Sequence, residues 1–276
     1  MHPILFRIGP LTIHSYGTFL AIGFLAGIWV AVKEAERKGL SPDKILDLGF
    51  TCLVSAVVAS RIPYVVFNWS DFSDNIWEIF AIWKGGLVFY GGFLGAAAAF
   101  ALFVRINRLP FWKVADCCAL GVPLGYFFGR LGCFSAGCCY GAETNLPWAV
   151  TFHDPYCLAP KGLSLHPTQL YLGLGSLTIF LVLFFFYRKR APFDGAVFLV
   201  YLFSYAVLRF FVEFLRADDR GEFFLGLLSP SQTMGVAMAI VAVVLFAGRK
   251  IHASKEPQPA PQPAPGPGKG KQKGRA

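Results

Sequence analysis

Seven apolar stretches, each about as long as a helix that crosses a bilayer, constrain this chain more than any other feature. They run from Ser15 to Val32, Ile45 to Phe67, Gly85 to Val104, Val114 to Arg130, Pro167 to Tyr187, Ala196 to Leu215 and Ser231 to Gly248. A helix needs roughly 17–25 residues to span about 30 Å of hydrocarbon. Lipid leaves backbone amides no partner outside a helix or a closed barrel. With 55% hydrophobic and 15% charged residues among 276, the composition excludes an ordinary water-soluble core and makes the bilayer the solvent. The expected fold class is an all-α polytopic membrane protein of about seven transmembrane helices.

Basic residues in short loops set the orientation of such a protein. Seventeen of the 25 Lys and Arg lie on one side, in Lys33 to Lys44, Arg105 to Lys113, Arg188 to Arg190, Arg249 to Lys250 and the C-terminal tail. That side is expected to be cytoplasmic, with the N-terminus periplasmic and the C-terminus cytoplasmic. The net charge of +9 follows from these anchors and the tail, so anionic lipid headgroups are the expected partner and nucleic acid is not. Met1 to Ile8 lacks a basic start followed by an apolar core and cleavage site, so the first helix is expected to stay in place. Residues 1–250 are expected to form the membrane domain, with 132–166 as an outward head segment. Residues 251–276 read as a basic tail, and Glu256 to Ala276 has almost nothing to bury, which predicts disorder.

Charge inside an apolar stretch costs at least about 2.5 kcal/mol and is usually paired or functional. Arg61, Arg130, Arg209, Glu213 and Arg216 are such residues. Spacings of four and three place Arg209, Glu213 and Arg216 on one face of the sixth helix, with Tyr205 one turn earlier. An Arg209–Glu213 ion pair that only fixes packing is one reading. The other is an anion site, because the planar guanidinium fork of Arg130, Arg209 or Arg61 fits two phosphate oxygens of a phospholipid headgroup. Gly85, Gly86, Gly91, Gly92 and Gly95 around Phe89 and Tyr90 read equally as lipid approach or as small-residue helix packing.

Cys133, Cys138, Cys139 and Cys157 fall on the outward side, where an oxidising compartment allows disulfides, and structural pairing is the default reading. A gap of four before an adjacent pair does not match zinc spacing, although His153 and His166 add possible ligands, so no metal is expected. Cys52, Cys117 and Cys118 read as small buried apolar residues.

Six motifs in order resemble the bacterial prolipoprotein diacylglyceryl transferases over nearly all of Met1 to Gly248. They are Ile13-His14-Ser15-Tyr16-Gly17, Ser60-Arg61-Ile62-Pro63-Tyr64, Gly85-Gly86-Leu87-Val88-Phe89-Tyr90-Gly91-Gly92, the Gly129 to Gly141 signature, His166-Pro167-Thr168-Gln169-Leu170-Tyr171, and Arg209 to Arg216. The resemblance implies a multi-pass inner-membrane enzyme that works without a cofactor, expected as a monomer. Its implied reaction moves the diacylglyceryl group of phosphatidylglycerol onto the lipobox cysteine thiol of a preprolipoprotein signal peptide, forming a thioether and releasing glycerol phosphate. It implies catalytic roles for Arg130, Arg209, Glu213 and Tyr90. Headgroup contacts are implied at Arg130, Arg61, Tyr16, Gly141, Tyr205, Arg216, His166 and Gln169.

The chain departs from the family pattern at Tyr90, where the familiar form has histidine. It departs again at Cys133 and Ala136, where asparagines are common, and at Cys138, where glutamate is common. A tyrosine near pKa 10 is a poor base, so Tyr90 is expected to hydrogen-bond substrate while Arg209 and Glu213 promote thiolate formation. A bridge from Cys133 to Cys138 or Cys139 is expected to lock the signature loop in place of the missing amides. Two other classes stay open: a membrane thiol–disulfide oxidoreductase using Cys138 and Cys139, and a non-catalytic phospholipid-binding or transport protein using the same arginines.

Overall fold

The computed structural model describes residues 2–9, 11–72, 75–81, 85–216 and 228–255. The disorder expected for Glu256 to Ala276 lies outside the described residues. An antiparallel hairpin, β1 (Ile4–Ile8) and β2 (Leu11–His14), leads directly into the first of seven helices. These are α1 (Ser15–Arg37), α2 (Pro42–Phe67), α3 (Phe89–Ile106), α4 (Phe111–Ala136), α5 (Thr168–Leu181), α6 (Ala196–Glu213) and α7 (Pro230–Lys255). All seven are long and apolar enough to cross a membrane, α5 by way of a π-helical continuation over Val182–Tyr187. Large apolar side chains such as Leu25, Trp29, Phe93 and Phe211 are exposed on the helix surfaces, a face that suits lipid rather than water.

The seven expected stretches match these helices, with instructive shifts at three ends. α3 starts at Phe89, because Gly85 and Gly86 hold φ of +87° and +74°, a left-handed backbone that cannot enter a helix. α4 runs to Ala136, so Arg130 and Cys133 lie within its last two turns. α7 continues through 251–255, which composition assigns to the tail.

Two kinds of contact hold the bundle. Without a hydrophobic drive between helices in lipid, close backbone approach through small residues supplies packing. On α1 and α4, Gly23 faces Gly125 and Gly27 faces Gly121. A Cβ on Gly23 would sit 2.7 Å from the Gly125 carbonyl oxygen, and one on Gly27 2.9 Å from that of Gly121. α2 and α3 do the same: Gly91, Gly92 and Gly95 press on Ala56, Ala59, Ser55, Ser60 and Pro63. Helix packing therefore accounts for these three glycines.

The second contact is a layer of buried charge at the end of the bundle where α1 finishes. Glu34, fully buried, pairs with Arg37 and with Arg188, whose Nη1 lies 2.9 Å away. Asp116, also fully buried, accepts from Lys38 Nζ at 2.6 Å and from the backbone N–H groups of Gly195 and Phe198 at 2.9 Å. A carboxylate on the first N–H groups of α6 satisfies orphan donors and opposes the helix dipole. Burial disfavours the Lys38 ammonium, yet Asp116 and Asp194 outweigh it and raise its pKa above 10.5. A raised lysine pKa means that its share of stability is complete at neutral pH and is lost only as pH climbs through the raised value.

Removing one partner of a buried pair leaves an uncompensated charge, at a cost of about 3–5 kcal/mol. Asp116→Ala is therefore expected to lower the thermal unfolding temperature in detergent far more than Lys33→Ala, which breaks an exposed Lys33–Glu36 pair. Equal shifts for the two variants would contradict the assignment.

Candidate active site

The opposite end of the bundle collects the signature motif, the starts of α1, α5 and α7 and the end of α6. α4 stops because Gly137 takes φ of +73°, letting the chain fold back in a Schellman-type turn. The Cys138 N–H reaches the Cys133 carbonyl at 3.1 Å. Cys139 then also adopts a left-handed φ of +59°, uncommon for a residue with a side chain. The segment from 142 to 165, too mixed in composition for sequence to assign, folds into a small head. β3 (Val150–Thr151) pairs with β4 (Ser164–Leu165) over a core of Phe152, Cys157, Ala159 and Leu165.

Gly141 knots these parts together. Its N–H donates to the His166 carbonyl at 2.9 Å, and it forms a backbone bridge with Arg216. A Cβ there would lie 2.5 Å from the Leu215 oxygen, 2.6 Å from His166 Cβ and 2.8 Å from Thr168 Cγ2. Only glycine fits. This bridge also revises the placement of Arg216. α6 ends at Glu213 in a tight turn, so Arg216 does not continue the face of Arg209 and Glu213 but lies beside Gly141.

Arg130 projects from the last turns of α4. Its guanidinium stacks 4.6 Å from the Tyr126 ring centroid and donates to the Tyr126 hydroxyl. Tyr205 of α6 packs edge-on against Tyr126, ring centroids 5.4 Å apart, and donates to the Tyr126 hydroxyl at 3.3 Å. Among the described residues, Arg130 has no carboxylate partner. Tyr16, 43% exposed, packs next to this site against Gly132, where a Cβ would meet the Tyr16 backbone at 3.2 Å.

Arg209 and Glu213 form the expected ion pair, Nη1 to Oε2 at 2.8 Å. Both also reach the start of α7. Ser229 Oγ donates to Glu213 at 3.1 Å, and Arg209 Nη2 donates to Ser231 Oγ at 3.3 Å. The pair clips α6 to α7 and fixes Arg209 one turn beyond Tyr205 on α6.

Arg61 sits differently from the expected headgroup contact. It is buried and donates to the carbonyls of Ile79, Gly85, Gly86 and Glu78, so its fork shapes the loop before α3. Tyr90, 54% exposed, stands on the first turn of α3 that this loop positions. His166 Nδ1 and Trp148 Nε1 both meet the Tyr171 hydroxyl, at 3.2 Å and 2.8 Å. Gln169 is fully buried with Nε2 donating to the Cys138 carbonyl at 2.7 Å, while Thr168 Oγ1 donates to the Cys139 carbonyl at 2.7 Å.

All seven cysteines are free thiols. The sulfurs of Cys133, Cys138 and Cys139 lie within 4.8 Å of one another, whereas Cys157 belongs to the head core. Cys138 Sγ donates to the Cys133 carbonyl at 3.7 Å, and Arg130 and Arg216 lend the Cys139 thiol positive potential. The expected approach of Cys133 to Cys138 and Cys139 is present, but as free thiols: neither the expected bridge nor a pairing of Cys157 is formed. Its sequence signal is Gly137, a helix-ending glycine with a cysteine on each side. Sequence spacing hides Tyr126, Ser229 and Ser231.

A permanent cation against an aromatic wall, with a second arginine on the helix that carries Tyr205, suits an anionic group. Residues 3–248 match the family described as prolipoprotein diacylglyceryl transferase. A Finegoldia magna protein named phosphatidylglycerol-prolipoprotein diacylglyceryl transferase is 37% identical over 89% of this chain and 94% of its own length. Proteins of the same name from Clostridioides difficile and Aliivibrio salmonicida are 35% and 38% identical, covering 93% and 88% of this chain and 100% and 84% of their own lengths. Site, helix count and sequence agree: the chain belongs to the prolipoprotein diacylglyceryl transferase family.

Proposed function

We propose that this protein transfers the diacylglyceryl group of phosphatidylglycerol to the cysteine thiol of a prolipoprotein, the first step of lipoprotein lipidation. The observation that carries this reading is Arg130, a membrane-embedded guanidinium whose described partners are a tyrosine ring and hydroxyl rather than an acid. An unneutralised cation at this depth is retained for an anion, and a phosphodiester headgroup held there leaves its acyl chains in the surrounding lipid.

In the reaction, the acceptor sulfur attacks the diacylglyceryl carbon that bears the phosphate oxygen. A carbon–sulfur bond forms, the carbon–oxygen bond breaks, and glycerol phosphate departs with the electron pair. Negative charge therefore grows on the phosphate, and Arg130 is placed to stabilise it. Tyr126 and Tyr205 act through Arg130, holding its plane against one aromatic wall. Arg209 adds positive potential and is kept in place by Glu213 and Ser231. Tyr16 and Tyr90 border the headgroup, with Arg61 positioning Tyr90 through the Gly85–Gly86 loop. Arg216, His166 and Gly141 close the site on the side of the head.

The orientation that fits is the one implied by the basic residues, with this site at the periplasmic face of the bacterial inner membrane and the buried charge layer at the cytoplasmic face. The acceptor would be the lipobox cysteine of a signal peptide, and the unit a monomer with its tail beyond residue 255 in the cytoplasm. Neither alternative class fits as well: an oxidoreductase gives Arg130 and Arg209 no task, and the family to which the chain belongs is one of transferases rather than lipid carriers.

Arg130→Ala should lower glycerol phosphate release in the presence of a lipobox peptide by about 10²–10³-fold, the range for losing one charge-stabilising donor. Tyr126→Phe keeps the ring and loses only the hydroxyl contact, so a loss of about tenfold, the equivalent of 1–1.5 kcal/mol, is expected. Undiminished release by folded Arg130→Ala enzyme would overturn the assignment. For Gly141→Ala, the crowding by Leu215, His166 and Thr168 predicts loss of both transfer and thermal stability. An active, fully stable variant would show that the knot is dispensable.

A further inference from the structure

The cluster of cysteines is left over by the chemistry above, which needs no enzyme thiol. Three features mark it as a built site. The sulfurs of Cys133, Cys138 and Cys139 converge within 4.8 Å, and all three residues remain partly exposed. An ion about 2.3 Å from each of three tetrahedral sulfur ligands sets those sulfurs about 3.8 Å apart, inside this spread. The turn that brings them together is strained, since Cys139 holds φ of +59°, and such strain persists only where its surroundings enforce it. Those surroundings are specific: fully buried Gln169 and Thr168 grip the carbonyls of Cys138 and Cys139 at 2.7 Å each. Supporting hydrogen bonds of this kind orient metal-binding residues.

The cluster also sits where a second reactant must arrive. Cys133 follows Arg130 by three residues on α4, so the two share a helix face. Cys139 precedes Gly141, which bridges to Arg216. Three protein ligands with one open position make the reactive form of a zinc site, and a fourth thiol bound there is deprotonated outright. Free thiol at about pKa 8.5 is only a few per cent thiolate at neutral pH, so an S-alkylating enzyme gains directly from such an ion.

We propose that Cys133, Cys138 and Cys139 form a zinc site whose open fourth position binds and deprotonates the acceptor cysteine thiol. This rests on the transferase reading. The peptide thiol replaces a water on zinc, and its proton passes to solvent. The bound thiolate attacks the diacylglyceryl carbon, and glycerol phosphate leaves toward Arg130. The thioether product is neutral, a weak ligand for zinc, and departs. No electron is gained or lost by the protein.

The test uses the full chain in phosphatidylglycerol-containing nanodiscs. Purified enzyme should hold about one zinc per chain, the stoichiometry of a single three-thiolate site, and Cys133→Ser with Cys138→Ser should hold none. Thr168→Val, which loses a single hydroxyl behind Cys139, should fold normally and bind zinc about 10–100-fold more weakly. The cobalt-substituted protein should show thiolate charge-transfer and tetrahedral bands, and a lipobox peptide should shift these bands whereas its Cys-to-Ser analogue should not. Chelation should abolish thioether formation and zinc should restore it. Undiminished transfer by metal-free enzyme overturns the zinc site while leaving the transferase reading intact. A cobalt spectrum blind to the peptide thiol, or a Cys133 bridge to Cys138 or Cys139 in active enzyme, does the same. Failure of the zinc-loaded enzyme to transfer, with its zinc and spectrum as expected, sinks the transferase reading and the role of the ion in it together.

Discussion

Everything in this structure answers to the cost of placing charge in a medium that cannot solvate it. A buried ion is tolerated when an opposite charge and hydrogen bonds meet it, and most ions in this bundle are met that way. Glu34 has Arg37 and Arg188; Asp116 has Lys38 and the first amides of α6; Glu213 has Arg209 and Ser229. Arg61 has no acid partner among the described residues but four backbone carbonyls. Arg130 stands apart, with a tyrosine ring and hydroxyl as its described partners. The protein sustains that imbalance at one end, where a phosphate can complete it, and anchors the other end with fully compensated pairs.

The two ends therefore do different work on one frame. Close glycine contacts between α1 and α4 set Tyr16 against Gly132, two residues after Arg130 on α4. The same α4 carries Asp116 near its start, tying the frame to α6. Because the same α6 carries Tyr205, Arg209 and Glu213 toward its other end, the buried charge layer and the site are mechanically one object.

Much of this was legible in the residues themselves. Hydropathy finds seven helices because lipid exposure demands continuous apolar surface, and the motif order carries the family. The i, i+4 spacing predicts the Arg209–Glu213 pair because both residues lie within one regular helix. The same logic fails three residues later, since Arg216 lies beyond the turn that ends α6, and periodicity holds only while the helix does. A lone charge in an apolar stretch suggests an anion for Arg61, because sequence does not show the carbonyls of Ile79, Glu78, Gly85 and Gly86 folding over it. The glycines Gly91, Gly92 and Gly95 leave packing and lipid approach balanced until the partner helix is seen. The approach of Cys133 to Cys138 and Cys139 is legible in sequence, but its form is not: the thiols are free, held together by a glycine-capped helix end and two buried side chains from α5 rather than by a bridge.

Mass spectrometry of a lipobox peptide, incubated with the purified protein and phosphatidylglycerol, addresses the central claim most directly. The account predicts that the cysteine peptide gains one diacylglyceryl group in a linkage stable to hydroxylamine, as a thioether is and a thioester is not, and that a serine analogue gains nothing. An unmodified cysteine peptide, in a folded preparation that still binds phosphatidylglycerol, would contradict it.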